Sequence, residues 1–317
     1  MASEVQRKWK IEPGFCGDCV FKGITALLAL SIIAILCLMM YEMIRQSLPS
    51  LRAFGLSFLT GSDWDVVQEK FGALPYLYGS LVSSVLALAL ATPLSVGTAL
   101  FITEIAPKRA GAAIAALVEL LAAIPSVIYG LWGVLVMAPW LQRSVQPLLI
   151  EHLGFLPFFE GAPYGVSMLA AIFILMVMVV PIITSITKEV LLAVPQTQKE
   201  AAIALGATRW EMIRMAVLPY GKSGIVGAVI LGLGRAVGET MAVTMVIGNS
   251  PQISLSLLSP AYTMPSVIAN EFAEATSPLH SAALMEIGLI LLTVTIVING
   301  FARLLLWSVT RKEGGRR

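Results

Sequence analysis

The stretch GAPYGVSMLAAIFILMVMVVPIITSIT (Gly161–Thr187) contains no charged side chain. It is longer than the ~18 consecutive apolar residues that indicate a helix crossing a bilayer. Over all 317 residues, 57% are hydrophobic and only 13% are charged, whereas a soluble domain has roughly 25% charged residues. A soluble helical protein would need polar faces on segments of this kind. The sequence therefore predicts an integral membrane protein.

Six such apolar windows occur along the chain, which predicts an all-α polytopic membrane protein with six transmembrane helices. The fifth window carries Arg235 and Glu239, and the sixth carries Glu286. Pro125 in the third window is expected to kink or break that helix. The windows are Gly23–Tyr41, Phe71–Thr103, Leu120–Gln142 (extended backwards past Glu119 to Ala110), Gly161–Thr187, Ser223–Gly248 and His280–Ala302.

The distribution of lysine and arginine gives an expected orientation, because cytoplasmic loops retain positive charges. With both termini in the cytoplasm, sixteen of the 21 basic residues lie on the cytoplasmic side. The expected organisation is a cytoplasmic tail at residues 1–22, a membrane domain at residues 23–310 and a basic cytoplasmic tail at residues 311–317. The net charge of +2 follows from this topology and gives no indication of a nucleic-acid partner.

Two features near the N-terminus have plain interpretations. No small-residue cleavage site follows the first apolar window, which favours a retained anchor over a signal peptide. Cys16 and Cys19 form a CxxC pair, but a metal site would need further cysteine or histidine ligands nearby. Incidental thiols and no bound metal are therefore expected.

The loop between the fourth and fifth windows, VPQTQKEAAIALGATRWEMIRMAVLPYGKSG, predicts two short helices. Thr197 with Glu200, and Thr208 with Glu211, have the spacing of capping boxes, in which each side chain bonds an exposed backbone N–H of the first helical turn. The two helices are expected to begin at these positions.

The same loop contains signals for the ends of its helices. Gly206 is expected to end the first helix in a left-handed conformation, and Pro219 is expected to end the second. Such a rigid unit exceeds what a connection requires, so residues 195–219 are interpreted as an interaction surface. A DNA-binding helix-turn-helix is disfavoured because both helices are tethered to membrane spans. A P-loop ending in GKS at Gly221–Ser223 is excluded because it needs a glycine where Ala216 stands.

The sequence EAAIALGATRWEMIRMAVLP resembles the EAA loop of ABC-importer permeases. Ala216 stands where that family usually has a larger aliphatic residue. The resemblance implies a type I importer permease architecture, in which this segment is the coupling helix that docks onto a cytoplasmic ATPase. The positions that match the family pattern are Glu200, Ala201, Ala202, Gly206, Leu218 and Pro219.

Arg235 and Glu239 place two charges inside the fifth apolar window. An arginine at the centre of a membrane helix costs ~2.5–3.5 kcal/mol on insertion scales, so it normally faces protein or a water-filled cavity. In a continuous helix, Glu239 would lie one turn further on the same face. Charge logic leaves two interpretations open: an internal ion pair in a packed bundle, or an anion pathway in which Arg235 attracts the substrate and Glu239 tunes or gates it.

The other polar groups of the windows are also ambiguous. Glu119 and Glu286 each have two possible roles: a pathway group, or a structural partner of Arg235. The pair Gly234 and Gly238 forms GxxxG, which is expected to allow close approach of another helix. The stretch NEFAEA with His280 either meets an external partner or caps the sixth helix.

A closer resemblance covers most of the chain from about Leu48 onwards. The stretches ELLAAIPSVIYGLWG, LGLGRAVGETMAVTMVIGN and NEFAEA…H…AALMEIGLIL are similar to those of phosphate-specific permease subunits. The resemblance implies ATP-driven import of inorganic phosphate across the bacterial inner membrane and ties Arg235 and Glu239 to transport. It also implies a homologous second permease subunit, two ATP-binding subunits and a periplasmic phosphate-binding protein as partners. The partner ATPase would use ATP, and no cofactor is expected on this chain.

Two alternatives to a phosphate importer remain. A permease of the same architecture would import another oxyanion, such as sulfate or molybdate. An ion-coupled secondary carrier would use Glu119 and Glu286 as proton sites and would leave the cytoplasmic helices without a purpose. An enzyme is disfavoured because His152, His280 and the scattered acids give no catalytic constellation.

Overall fold

The computed structural model describes residues 16–314, with the backbone alone for Cys16, Asp18 and residues 305–314. The predicted tails at residues 1–22 and 311–317 lie largely outside the described residues. Five helices are long and apolar enough to cross a membrane, and a bent pair makes a sixth span. The prediction of an all-α chain with six spans is confirmed on this basis. The spans are α1 (Cys16–Phe54), α3 (Leu74–Leu100), α4 (Lys108–Ala123) with α5 (Ser126–Trp132), α8 (Met168–Leu192), α11 (Leu218–Val237) and α14 (Pro278–Gly314).

Short elements connect or extend these spans. The two short strands pair antiparallel, with Trp64 opposite Phe71, and are a small exception to the all-α prediction. Four π-helical turns occupy Phe101–Ile105, Gly133–Met137, Leu141–Val145 and Ile213–Val217. The remaining elements are α2 (Ser57–Thr60), β1 (Trp64–Asp65), β2 (Lys70–Phe71), α6 (Ala138–Trp140), α7 (Gln146–Leu153), α9 (Gln196–Ala204), α10 (Arg209–Met212), α12 (Met241–Val246) and α13 (Met264–Glu271).

The third span is broken at Pro125, as the sequence predicts. The helices on the two sides of the break meet at an angle of 93°. Proline has no N–H to continue the helix and favours an extended conformation in the residue before it, here Ile124. The Tyr129 hydroxyl donates a hydrogen bond of 2.8 Å to the Leu121 carbonyl across the break. This bond satisfies a carbonyl that the interrupted helix leaves without its usual partner.

Several helices extend beyond the apolar windows that predicted them. Helix α1 continues to Phe54, past the window that ends at Tyr41. The third span continues helically to Leu153, past the window that ends at Gln142. The window criterion is sensitive to the hydrocarbon core of a bilayer, whereas a helix continues into the polar interface wherever its backbone hydrogen bonds persist.

Helix α8 is the centre of the packed bundle. Its side chains Ile174, Val179 and Ile183 are fully buried, and neighbouring helices α3, α4 and α11 pack around it. A second group of apolar residues is here called the aromatic cluster. Its buried members are Phe58, Phe71, Ala73, Tyr76, Tyr262, Met264, Val267, Ala283, Leu284 and Ile287. A third, here called the junction cluster, contains Ala99, Leu191, Val194, Met212, Ile213 and Val217.

Glycine permits one close contact between α3 and the loop before α13. A Cβ atom on Gly79 would overlap the carbonyl oxygen of Tyr262. The adjacent Ser80 hydroxyl accepts a hydrogen bond of 2.8 Å from the Met264 N–H. The α3 backbone therefore lies directly against this loop, which fixes the start of α13.

Candidate functional site

The fifth apolar window contains a break, so the expected continuous helix is wrong. Helix α11 ends at Val237 and α12 begins at Met241. Gly238 follows the last residue of α11, and the chain changes direction through Glu239 and Thr240 before it becomes helical again. Glycine favours such helix ends because it costs little to take a non-helical backbone conformation. Arg235 lies in the last turn of α11, and Glu239 lies in the break itself.

Arg235 and Glu239 form a loose ion pair across this break. The Arg235 Nη2 atom lies 3.8 Å from the Glu239 Oε2 atom, which exceeds hydrogen-bond length. The other carboxylate oxygen of Glu239, Oε1, accepts a hydrogen bond of 3.3 Å from the Ala242 N–H in α12. The Glu239 side chain is 6% exposed, whereas that of Arg235 is 46% exposed. Glu239 is thus anchored to the protein, while the guanidinium of Arg235 presents part of its surface outwards.

The two broken spans pack side by side. A Cβ on Gly130 of α5 would lie 2.6 Å from the Met245 sulfur and 3.0 Å from the Ala242 Cα, both in α12. A Cβ on Gly133 would lie 2.7 Å from a methyl carbon of Val246. Only glycine allows this approach without displacement of α12. The helix that follows the break at Pro125 therefore supports the helix that follows the Arg235–Glu239 pair.

Glu119 lies on α4 and is not the buried acid that its sequence position suggests. Its side chain is 58% exposed, and its Oε1 atom accepts a hydrogen bond of 2.9 Å from the Lys188 ammonium on α8. Lys188, with a side chain only 14% exposed, also contacts Glu189 at 3.3 Å. The partner of Glu119 is therefore Lys188 and not Arg235.

Glu286 is buried within α14, as predicted, and it too is separate from Arg235. Its residue exposure is 4%, and within the described part of the chain its Oε2 atom has no hydrogen-bond partner. The neighbouring Leu284 and Ile287 belong to the aromatic cluster. Of the four predicted pathway residues, the structure brings together Arg235 and Glu239 and places Glu119 and Glu286 elsewhere.

Within residues 16–314, the predicted GxxxG pair does not pack against another helix. A Cβ on Gly234 would meet no atom within 4 Å, and one on Gly238 would meet only the Gly234 carbonyl at 3.5 Å. Gly238 also lies beyond the end of α11, so the two glycines do not form a continuous helical face. The surface beside Gly234 is open within the described residues.

The segment Pro195–Pro219, here called the α9–α10 segment, contains the two short helices that the sequence predicts. Gly206 follows the first helix with φ of 88°, in the left-handed region that glycine favours. Thr208 and Glu211 form the predicted capping box. These two features fix the corner between α9 and α10.

Two expectations about this segment are wrong. Thr197 does not cap α9, whose N-cap is Pro195, two residues before the predicted position, without a side-chain cap bond. Pro219 does not end the second helix, because a π-helical turn at Ile213–Val217 leads directly into α11. A π turn shifts the hydrogen-bond register, and Pro219 then occupies an early position of α11 where no N–H is required.

The α9–α10 segment has an outer face, which carries both polar and apolar side chains, and an inner face, which packs against the bundle. Glu200 and Ala201 are exposed, whereas Ala202 and Leu218 pack against the junction cluster. Several large apolar side chains on the outer face are also exposed, including Leu205 at 88%. The others are Ile203, Trp210 and Met215. The outer side of this segment therefore exposes apolar as well as polar side chains.

One buried ion pair joins this segment to the end of the second span, and the sequence-based prediction did not include it. The Lys199 ammonium on α9 lies 2.6 Å from the Glu104 Oε1 atom in the π turn after α3. Their side chains are 10% and 6% exposed, respectively. The two residues are far apart in sequence, and neither lies inside one of the six apolar windows. The sequence signal that could have revealed this pair is a charged residue on the face of α9 that turns towards the bundle.

The stretch NEFAEA with His280 serves an internal contact at the opposite end of the bundle. The Trp64 indole N–H donates a hydrogen bond of 2.9 Å to Glu271, whose same carboxylate oxygen lies 3.1 Å from the His280 Nε2 atom. The His280 ring stacks on Phe71. Burial raises the pKa of nearby Tyr262 to about 12, so its phenol stays neutral at physiological pH. These contacts join the β1–β2 hairpin to α13 and α14.

Comparisons with known proteins agree with this architecture. Residues 91–310 match the family described as "Binding-protein-dependent transport system inner membrane component". The "Phosphate transport system permease protein PstC" of Mesorhizobium japonicum is 45% identical over 301 residues, which cover 94% of this chain and 92% of that protein. The protein of the same name from Pasteurella multocida is 44% identical over 94% of each chain.

The chain belongs to the family of binding-protein-dependent transport system inner membrane components. As such a component, it is a permease subunit of an ABC transporter and an integral membrane protein.

Solved structures of ABC importers share the fold. The chain aligns with a bacterial alginate ABC transporter with a TM-score of 0.60 and 20% identity, over 88% of this chain and 92% of that one. It aligns with the MetNI methionine ABC transporter, in an inward-facing conformation, with a TM-score of 0.55 and 16% identity, over 74% and 94% of the two chains. These likenesses concern the fold alone.

Proposed function

We propose that this protein is the membrane permease subunit of an ATP-driven importer of inorganic phosphate. Its similarity to phosphate transport permeases from two bacteria supports the substrate class. The observation that carries the proposal is the Arg235 side chain, 46% exposed, beside a break in an apolar span. Insertion of a cation into a membrane span costs free energy, so its presence there indicates a function.

Arg235 is the group that draws phosphate into the membrane-spanning region. Its attraction for an anion is stronger in a low-dielectric surrounding than in water. The anion would replace part of its hydration by contact with the guanidinium. A transport path must also release its cargo, so the contact is weak by design.

Glu239 limits how tightly that anion is held. Its carboxylate lies 3.8 Å from Arg235 and is anchored by the Ala242 N–H. An anion that approaches Arg235 therefore also meets a fixed negative charge. Repulsion by Glu239 would favour release once the path opens to the other side. Glu119 and Glu286 are weaker candidates for pathway groups than Arg235 and Glu239. Each lies among other side chains and not beside Arg235.

The α9–α10 segment couples the permease to a separate ATPase. Its outer face offers Glu200, Ala201 and the exposed Leu205 to a docking partner, while Ala202 and Leu218 hold the segment on the bundle. Gly206 provides the corner that presents both short helices on one side. The ATPase subunits bind and hydrolyse ATP, and this chain binds no cofactor.

The complete importer would contain four kinds of protein. This chain would pair with a homologous, PstA-like permease subunit, and the surface around α1 and Gly234 offers apolar area for that contact. Two PstB-like ATP-binding subunits would dock on the α9–α10 segments. A periplasmic phosphate-binding protein would deliver the anion to the opposite face. In this arrangement both termini lie in the cytoplasm and the spans lie in the inner membrane.

Reconstitution of the four-component complex in liposomes tests the proposal. Radiolabelled phosphate uptake is expected only when ATP is enclosed with the ATPase subunits and the binding protein is outside. Excess unlabelled phosphate should abolish uptake, and equal concentrations of sulfate or molybdate should leave it unchanged. If sulfate or molybdate competes more strongly than phosphate, that oxyanion and not phosphate is the substrate. Uptake by the permease subunits without ATPase subunits would instead indicate an ion-coupled carrier.

A further inference from the structure

The buried pair of Lys199 and Glu104 has a position that docking of an ATPase does not explain. Lys199 directly precedes Glu200, but its side chain points into the protein and is 10% exposed. Glu104 lies in the π-helical turn that ends the second span, and its side chain is 6% exposed. The pair thus connects the inward face of α9 to α3, while the outer face of α9 stays free for a partner.

The pair is a strong connection because both charges are shielded from water. Removal of one partner from a buried ion pair is strongly destabilising, since the remaining charge is left uncompensated. At 2.6 Å the contact is also a charge-assisted hydrogen bond, which has a defined direction. An applied displacement of α9 would move Glu104 more readily than it would separate the two side chains.

A second contact of α9 with the bundle is apolar. Ala202 packs against the junction cluster, in which Ala99 of α3 and Leu191 of α8 are both fully buried. Apolar contacts of this kind resist separation but have no preferred direction. The ion pair is therefore the element that can pull the end of α3 along with α9 as well as push it.

We propose that Lys199 and Glu104 are positioning residues that transmit the movement of the ATPase-docked α9 helix to the second membrane span. The inference rests on the proposed function, because it requires an ATPase on the outer face of α9. With the pair intact, each ATP-driven displacement of α9 moves α3, and through the α3–α8 contact it moves the core of the bundle. Without the pair, α9 moves with the ATPase while α3 lags behind.

The reconstituted importer allows a direct test, with phosphate uptake and ATP hydrolysis measured in the same liposomes. The variants are Lys199→Met, Glu104→Gln, the charge-reversed pair Lys199→Glu/Glu104→Lys and the apolar pair Lys199→Met/Glu104→Leu. Lys108→Met serves as the matched control, because Lys108 is an exposed cation four residues after Glu104. Assembly of each complex is checked by co-purification of the ATPase subunits.

The expected result is a separation of the two activities. Both single variants and the apolar pair should lower the phosphate transported per ATP by about 5-fold or more, the lower end of coupling between distant sites. ATP hydrolysis and co-purification should persist, the reversed pair should recover most of the ratio, and Lys108→Met should match the unchanged protein. The apolar pair keeps the site filled without leaving a buried charge, so it reports on transmission even where a single variant fails to assemble.

Two results would overturn the inference. A normal ratio in the apolar pair would mean that the ion pair only stabilises the fold. A parallel loss of hydrolysis and uptake in complexes that still assemble would mean that the pair serves ATPase activation and not transmission. The unchanged complex separates these failures from a failure of the proposed function, which would appear as no ATP-dependent phosphate uptake before any substitution is made.

Discussion

Glu239 holds Arg235 at 3.8 Å with one carboxylate oxygen and the N-terminal turn of α12 at 3.3 Å with the other. The acid therefore has a second partner, whereas the described residues give the guanidinium no hydrogen bond and leave the Arg235 side chain 46% exposed. A pair that existed only to neutralise two buried charges would bring both groups into hydrogen-bonded contact and bury both. The asymmetry favours an arginine that is available to an anion.

The substitution Arg235→Ala tests that interpretation. We expect uptake of phosphate to fall by about 10-fold or more, since each loss of ~1.4 kcal/mol in barrier stabilisation lowers a rate about tenfold. The double variant Arg235→Ala/Glu239→Ala should not recover uptake, because the attracting charge is still absent. Lys222→Ala removes an exposed cation from the start of the same helix and should have little effect. Recovery in the double variant would show a structural ion pair instead.

Gly79→Ala should destabilise the protein. The added methyl would overlap the Tyr262 carbonyl, and a forced shift of packed backbone costs ~1–3 kcal/mol. Gly97→Ala on the same helix is the matched control, because a Cβ there would meet no atom within 4 Å. Thermal unfolding of the purified complex should begin at a lower temperature for Gly79→Ala alone. Equal melting of both variants would contradict the close contact between α3 and the loop before α13.

Thr208→Ala should loosen the start of α10, because it removes the side chain that caps the helix. Loss of a threonine cap costs about 1 kcal/mol. Hydrogen exchange at the Glu211 and Met212 amides should then become about 5-fold faster, as local opening becomes more frequent.

Thr197→Ala provides the comparison for the cap. Thr197 has the same capping-box spacing in sequence, but Pro195 is the N-cap of α9 and makes no side-chain cap bond. Exchange in α9 should not change with this substitution. Faster exchange in α9 after Thr197→Ala would mean that this threonine caps the helix after all.

Glu119→Gln tests whether Glu119 is a pathway group or only a partner of Lys188. Lys188 keeps its contact with Glu189 at 3.3 Å when Glu119 is neutral, and Glu119 itself is mostly exposed. The free energy of unfolding should therefore fall by less than ~1 kcal/mol, and uptake should stay near normal. Lys188→Met, which removes both contacts of a largely buried cation, should cost more. Loss of uptake in Glu119→Gln with unchanged stability would make Glu119 a pathway group.

Local signals in the sequence were sufficient for much of the fold. Uncharged apolar runs predicted the spans, since a bilayer requires a helix with its backbone bonds satisfied internally. Pro125, Gly206 and the Thr208–Glu211 box each act within a few residues, and the structure confirms all three. The same capping-box spacing gave a wrong prediction at Thr197. The pattern considers only a few residues, and the N-cap of α9 is Pro195 instead.

Features that depend on distant residues were out of reach of such signals. The break after Val237 comes within an apolar run, and hydropathy does not distinguish a continuous helix from an interrupted one. The pairing of Lys199 with Glu104, and of Glu119 with Lys188, is set by how α3, α4, α8 and α9 pack together. Likewise, the approach of Gly130 to α12 depends on two breaks that lie far apart in the chain.

Helix α1 has its main contact within the described residues on α14, at the other end of the chain. During synthesis the N-terminal part of a protein emerges first. Met43 of α1, which lies against Gly288 of α14, would therefore lack this neighbour until nearly the whole polypeptide has been made. The earliest helix to enter the bilayer gains its neighbour from the last, so completion of the bundle is tied to completion of translation.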